Sequence, residues 1–218
     1  MTERVTFGDA SGELVAPEGS AKAPAVVLVH EYWGVNAQIQ SMAKRWADAG
    51  FLTLVPDLFH GKVAATAAEA QALMSALDFP RAVRELVAAV EYLKTHPRST
   101  GKVAVTGYCL GGALTFLTAC SARGLAAAVP FYGVPPQADW SKVEAPIQAH
   151  FAKHDNWASE AAAKAIQTTL AEHHKPMELF VYDAQHAFCN DRRPEVHDAA
   201  AASQAWNRTV AFVRQHTA

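Results

Sequence analysis

The chain has 218 residues, half of them apolar and 18% charged, with a net charge of -2. That balance suits one globular domain over residues 1–218 with a sizeable core and, lacking a basic block, excludes nucleic acid and anionic membrane surfaces as partners. No apolar run reaches the about 18 residues that read as a membrane span, Met1–Asp9 is polar, and Cys109, Cys120 and Cys189 form an odd set without C-x-x-C spacing. The expectation is a soluble, cytoplasmic chain with no membrane partner, no disulfide framework and no thiolate zinc site.

In chain order, Val5–Phe7 and Gly12–Val15 flank the turn Gly8–Ser11 as an edge hairpin. Ala25–Val29 is a continuous β-branched run, as in a strand covered on both faces, and His30-Glu31-Tyr32-Trp33-Gly34 follows its carboxyl end. Asn36 caps a helix to Ala49, with Ile39, Met42, Ala43 and Trp46 on one face, and Gly50 stops it. Phe51–Val55 is the next strand, Pro56–Gly61 a loop, and Thr66–Leu77 a short helix placed to lie over a site at the strand ends. Arg81–Lys94 is a longer helix, ended by His96-Pro97.

Lys102–Thr106 then leads through Gly107-Tyr108-Cys109-Leu110-Gly111-Gly112 into the helix Ala113–Cys120. Ala126–Tyr132 reads as a strand that Pro130 weakens. Ile147–Ala152 (strand), Lys153–Asn156 (loop), Glu160–Glu172 (helix), Met177–Tyr182 (strand), Asp183–Pro194 (loop) and Ala199–His216 (helix) complete the chain. Alternating strands and helices imply an α/β fold, a mostly parallel sheet with helices on both faces and its ligand site at the carboxyl ends of the strands.

The strand–turn–helix at residues 107–112 has the G-x-nucleophile-x-G form of a nucleophile elbow, with a thiol as the reactive group. Gly107 and Gly111 let strand and helix approach closely, so Cys109 projects above the sheet, facing the positive end of the helix dipole. The Leu110 amide, next in sequence, is one expected oxyanion donor, and the Tyr32 amide after the first parallel strand is the other. Asp155 and His186 follow later strands in the order nucleophile, acid, histidine that this architecture uses. A histidine takes the thiol proton and a carboxylate fixes its tautomer. Glu31, one residue before the oxyanion donor, is within reach of the thiol, and Trp33 is either ordinary packing or a substrate wall.

His30–Asn36, Val55-Pro-Asp-Leu58, Gly107–Gly112, Phe131-Tyr-Gly133, His154-Asp155 and His186-Ala-Phe188 together resemble the dienelactone hydrolase (carboxymethylenebutenolidase) family across nearly the whole chain. The resemblance implies an α/β-hydrolase fold, a Cys109–His186–Asp155 triad, a proton-accepting role for Glu31, a pocket tyrosine at Tyr132 and a monomer. It also carries a departure. The arginines with which that family holds a substrate carboxylate fall at Ala67 and Asn190 here, which leaves Asn190 as the substrate contact and Arg81, Arg192 or Arg193 to substitute from other directions.

The expected chemistry is hydrolysis of a small-molecule ester or enol-lactone through a thioester, with no metal or organic cofactor, or in a second form a broad carboxylesterase of small neutral activated esters. Two other classes compete. One is a thiol sensor on the same fold, and the other is a metal site drawn from His150, His154, His173, His174 and His186.

Overall fold

A computed structural model describes residues 2–218. Its eight strands are β1 (Thr2–Phe7), β2 (Ala10–Val15), β3 (Ala23–Val29), β4 (Leu52–Pro56), β5 (Ser99–Tyr108), β6 (Ala127–Phe131), β7 (Ile147–His154) and β8 (Met177–Gln185). They form one sheet in the order β1-β2-β4-β3-β5-β6-β7-β8. The β1–β2 and β2–β4 pairs are antiparallel and all others parallel. The helices are α1 (Ala37–Asp48), α2 (Ala67–Ser75), α3 (Phe79–Thr95), α4 (Leu110–Ala119), α5 (Glu160–Glu172) and α6 (Ala199–Thr217).

Local chemistry explains the boundaries. Asn36 Oδ1 accepts from the Gln38 and Ile39 amides to start α1, and Thr66 with Glu69 forms a capping box at α2. Asp78 caps α3 through the Arg81 amide and Pro80 sits in the first turn, where its missing N–H costs nothing. The helix therefore begins at Phe79, two residues before the start predicted at Arg81. Continuous burial of Ala25–Val29 reflects a strand covered on both faces. On one face α1 meets α6 through Trp46 and Trp206, 4.8 Å apart, and α3 and α4 pack together.

Pro130 does occupy a strand, β6, between β5 and β7. The ladder to β7 pairs Ala128 with Ile147 and then Phe131 with His150, skipping the rung a Pro130 amide would have supplied. Bonds on either side, Ala128 N–H to the Pro146 carbonyl (3.0 Å) and Tyr132 N–H to that of His150 (2.8 Å), hold the pair together.

Chain order turns back at β3 and β5, whose neighbours on either side run opposite ways in sequence. The loops after β3 and β5 thus open a crevice at the carboxyl ends of the sheet.

Candidate active site

Cys109 stands at the β5–α4 turn with φ 56° and ψ -114°, a conformation an L-residue adopts only when its surroundings enforce it. The enforcement is the close packing of glycines. A Cβ on Gly107 would run into the Gly111 carbonyl, one on Gly111 into the Val29 carbonyl, and one on Gly112 into the Phe131 carbonyl, all of them backbone. Gly112→Ala is therefore expected to cost about 3 kcal/mol or more, above the usual range of overpacking because backbone cannot rotate away. Urea unfolding of the variant checks this.

The Cys109 thiol lies 3.2 Å from His186 Nε2, and His186 Nδ1 lies 2.6 Å from Asp155 Oδ2. The second Asp155 oxygen accepts from the Trp157 and Ala158 amides at 2.7 and 2.9 Å, which fixes the carboxylate in the turn after β7. Burial works against a charged His186, but hydrogen bonds to Asp155 and Cys109 and the charges of both outweigh it, and its pKa is raised to about 10. β8 extends to Gln185, past the end predicted at Tyr182, so His186 is launched directly from a strand. Ala187 and Tyr132, like Cys109, have positive φ (64° and 33°), so backbone strain gathers around this group.

Glu31 is almost fully buried and pairs with Asn190, whose side-chain amide donates to Oε2 at 2.7 Å. Its other oxygen has no partner among the described residues. Burial pushes its pKa up, against the Asn190 hydrogen bond and the pull of His186 and Arg193. The same cavity is lined by Glu31 and Cys109, but no hydrogen bond joins them; the thiol's partner is His186. His30, to which the sequence reading gave no role, locks this loop. Its Nδ1–H donates to the Glu31 carbonyl at 2.6 Å, and Nε2 accepts from the Leu58 amide at 3.3 Å. Burial lowers its pKa, in keeping with a neutral ring.

The cavity holds about 290 Å³. Trp33 and Met74 of α2 line it, as placement of that helix over the site predicts, together with His154, Trp157, Arg193 and Val196. Tyr132 does not line it; the ring is buried beside His186, 5.2 Å between centroids. Asn190 is 2% exposed and bonded to Glu31 behind the cavity wall, so it does not line the cavity itself. Ala67 is exposed at the start of α2, and Arg81 is ion-paired with Glu85 in a separate hollow. Of the three arginines that stood as substitutes, Arg193 is at the cavity, its Nε bonded to Glu195. The sequence signal for it was weak, since two adjacent arginines compete in one loop.

The five histidines of the metal alternative are separated by their partners. His150 stacks between Phe131 and Phe180 in the core, His154 pairs with Asp183, His186 with Asp155, and His173 and His174 end α5. Among the described residues no group of three or more His, Cys, Asp or Glu is disposed to hold a metal ion.

A mostly parallel sheet, an elbow after β5, an acid after β7 and a histidine after β8 define an α/β-hydrolase. The model of the dienelactone hydrolase family matches residues 11–217, and the chain belongs to that family, a family of hydrolases. A carboxymethylenebutenolidase of Pseudomonas putida is 31% identical over alignments covering 98% of this chain and 96% of its own. The protein Usf of Aquifex pyrophilus is 32% identical, with 88% of each chain covered. Among solved structures, a promiscuous phosphotriesterase, like dienelactone hydrolase and drawn from metagenomic libraries, superposes with a TM-score of 0.91 over 100% of this chain and 99% of its own. At 24% identity that likeness speaks for the fold. No helix among the described residues is long and apolar enough to cross a membrane.

Proposed function

We propose that the protein hydrolyses a small ester or lactone by acyl transfer to Cys109, with His186 and Asp155 completing a triad. The observation that carries this reading is the unbroken line from Asp155 Oδ2 to His186 Nδ1 (2.6 Å) and from His186 Nε2 to Cys109 Sγ (3.2 Å) at the wall of a cavity. The thiolate attacks the carbonyl carbon and the π pair moves to oxygen, which the Tyr32 and Leu110 amides hold. Collapse breaks the bond to the alcohol oxygen, which takes the His186 proton, and leaves a thioester. His186, now neutral, removes a proton from water; the hydroxide adds, and the thiolate departs as the acid is released. No step calls for a metal or an organic cofactor, and the protein acts in this scheme as a single-domain, cytoplasmic monomer.

The second form of the reading, small neutral activated esters, is favoured by one observation. The guanidinium at the cavity, Arg193, is bonded through Nε to Glu195, which offsets part of the charge it would offer an anionic lactone. Steady-state hydrolysis of dienelactone beside p-nitrophenyl acetate separates the two. A much higher kcat/KM for dienelactone supports the enol-lactone, turnover of the neutral ester alone supports the second form, and no turnover of either sinks both.

Asp155→Asn keeps the oxygen that accepts from Trp157 and Ala158 while removing the charge opposite His186. Activity is expected to fall about 100-fold or more, as when a triad histidine loses its anionic partner. Because, against burial, hydrogen bonds to Asp155 and Cys109 and the charges of both raise the His186 pKa from 6.5 to about 10, the contribution of these partners to stability, that of Asp155 among them, is full below pH 6.5 and is lost as pH rises through 10. The stability gap between wild type and variant should close over that window in urea titrations.

A further inference from the structure

Trp157 is 75% exposed, the most exposed large apolar side chain among the described residues, and it lines the cavity that holds Cys109. Its backbone is fixed where its ring is free. The Trp157 amide donates to Asp155 Oδ1 at 2.7 Å, and Ala158, the next residue, is buried and bound to the same oxygen. The ring is thus held out to solvent beside the triad by the turn that positions the triad acid, a placement packing alone does not favour.

Around it apolar wall alternates with polar groups, among them Glu31, Asn156 and Gln185. Trp33, Met74 and Val196 supply further apolar wall. Arg193 is paired with Glu195 and His154 with Asp183. The chemistry of a thiolate adds a constraint, since it is itself a good leaving group and works on esters whose oxygen departs easily, as phenolates and enolates do. Those leaving groups are planar and conjugated.

Resting on the hydrolase reading above, we propose that Trp157 is a specificity-determining residue, a stacking platform for the planar, uncharged leaving group of an aryl or conjugated enol ester. Ring stacking covers the exposed face and orients the scissile carbonyl toward Cys109. A small leaving group gains little from the same platform.

The test compares 1-naphthyl acetate with vinyl acetate, activated esters with the same acyl group and leaving groups of different planar area, in wild type, Trp157→Ala and Trp157→Phe. Trp157→Ala is expected to lower the ratio of kcat/KM for naphthyl over vinyl ester about tenfold, mainly through KM, and Trp157→Phe to restore most of it. An unchanged ratio, including an equal loss on both esters as a disturbed Asp155 turn would give, overturns the proposal. Wild type that turns over neither ester but does turn over dienelactone or p-nitrophenyl acetate overturns this proposal alone, and absence of turnover on all four overturns the hydrolase reading and this proposal with it.

Discussion

Cys109→Ala is expected to lose ester hydrolysis by about 10⁴-fold or more, the scale seen when a covalent nucleophile is removed from a group that acts as a unit. The variant should fold, because alanine keeps the backbone of the elbow and the glycines around it are untouched. Urea midpoint and catalytic rate therefore separate cleanly. Alkylation gives an independent readout. Burial pushes the Cys120 thiol up to about 11 and the Cys189 thiol further still, so both are protonated at neutral pH and react slowly. Cys109 lies part-exposed beside His186. Iodoacetamide near pH 7.5 should add one group, at Cys109, in parallel with loss of activity, and the Cys109→Ala protein should take up almost none over the same time. Labelling of Cys189 at a comparable rate, or activity surviving the label, would remove Cys109 from the centre of the mechanism.

What makes the residue reactive in this scheme is placement more than identity. Cys120 is also a thiol, yet it ends α4 without a base. Cys109 sits at the opposite end of the same helix, at its N-cap, beside His186, where a helix presents the positive end of its dipole. The strained φ of Cys109 is maintained by contacts that three glycines permit, so the elbow is as much a property of Gly107, Gly111 and Gly112 as of the cysteine.

Much of this was legible in the sequence, for physical reasons. Strands buried on both faces show as unbroken β-branched runs, and the glycines of the elbow announce a close approach that leaves few other interpretations. Asp155 and His186 stood out because ligand chemistry in such sheets follows strand ends, and the structure brings the two side chains within 2.6 Å. The cavity wall was legible only in part, through Trp33, which lines it. Asn190 stands at a position implied for substrate and instead bonds to Glu31, 159 residues earlier, a pairing that local pattern does not encode. Tyr132 likewise turned inward, its backbone bent at positive φ beside the elbow. Trp157 gave no periodic signal because it packs on no face; its role comes from being left out. His30 is the converse case, a histidine in a prominent motif whose two ring nitrogens are both spent on backbone.

Glu31→Gln is the second large effect expected, and its two halves run in opposite directions. A carboxyl group buried this deeply, with one oxygen lacking a partner among the described residues, is held against desolvation by the Asn190 amide. Its pKa is raised, so the folded protein takes up more protons here than the unfolded chain and stability falls as pH rises above about 4.5 toward the folded value. Glutamine removes that penalty and, with its own carbonyl oxygen, can keep the bond from Asn190. The variant should therefore be at least as stable as wild type, with its advantage absent near pH 4 and growing as pH rises. Activity should fall about 10- to 100-fold if Glu31 exchanges a proton with the thiol or with His186 during acylation, since an amide cannot do so. The acid limb of the kcat/KM profile should shift with it. Asn190→Ala tests the same pair from the other side, leaving Glu31 ionisable but unheld, with a still higher pKa and a pH profile displaced upward. If Glu31→Gln instead kept full activity and an unchanged profile, the carboxylate would be a brace for the loop that carries the Tyr32 amide, and proton transfer would belong to His186 alone.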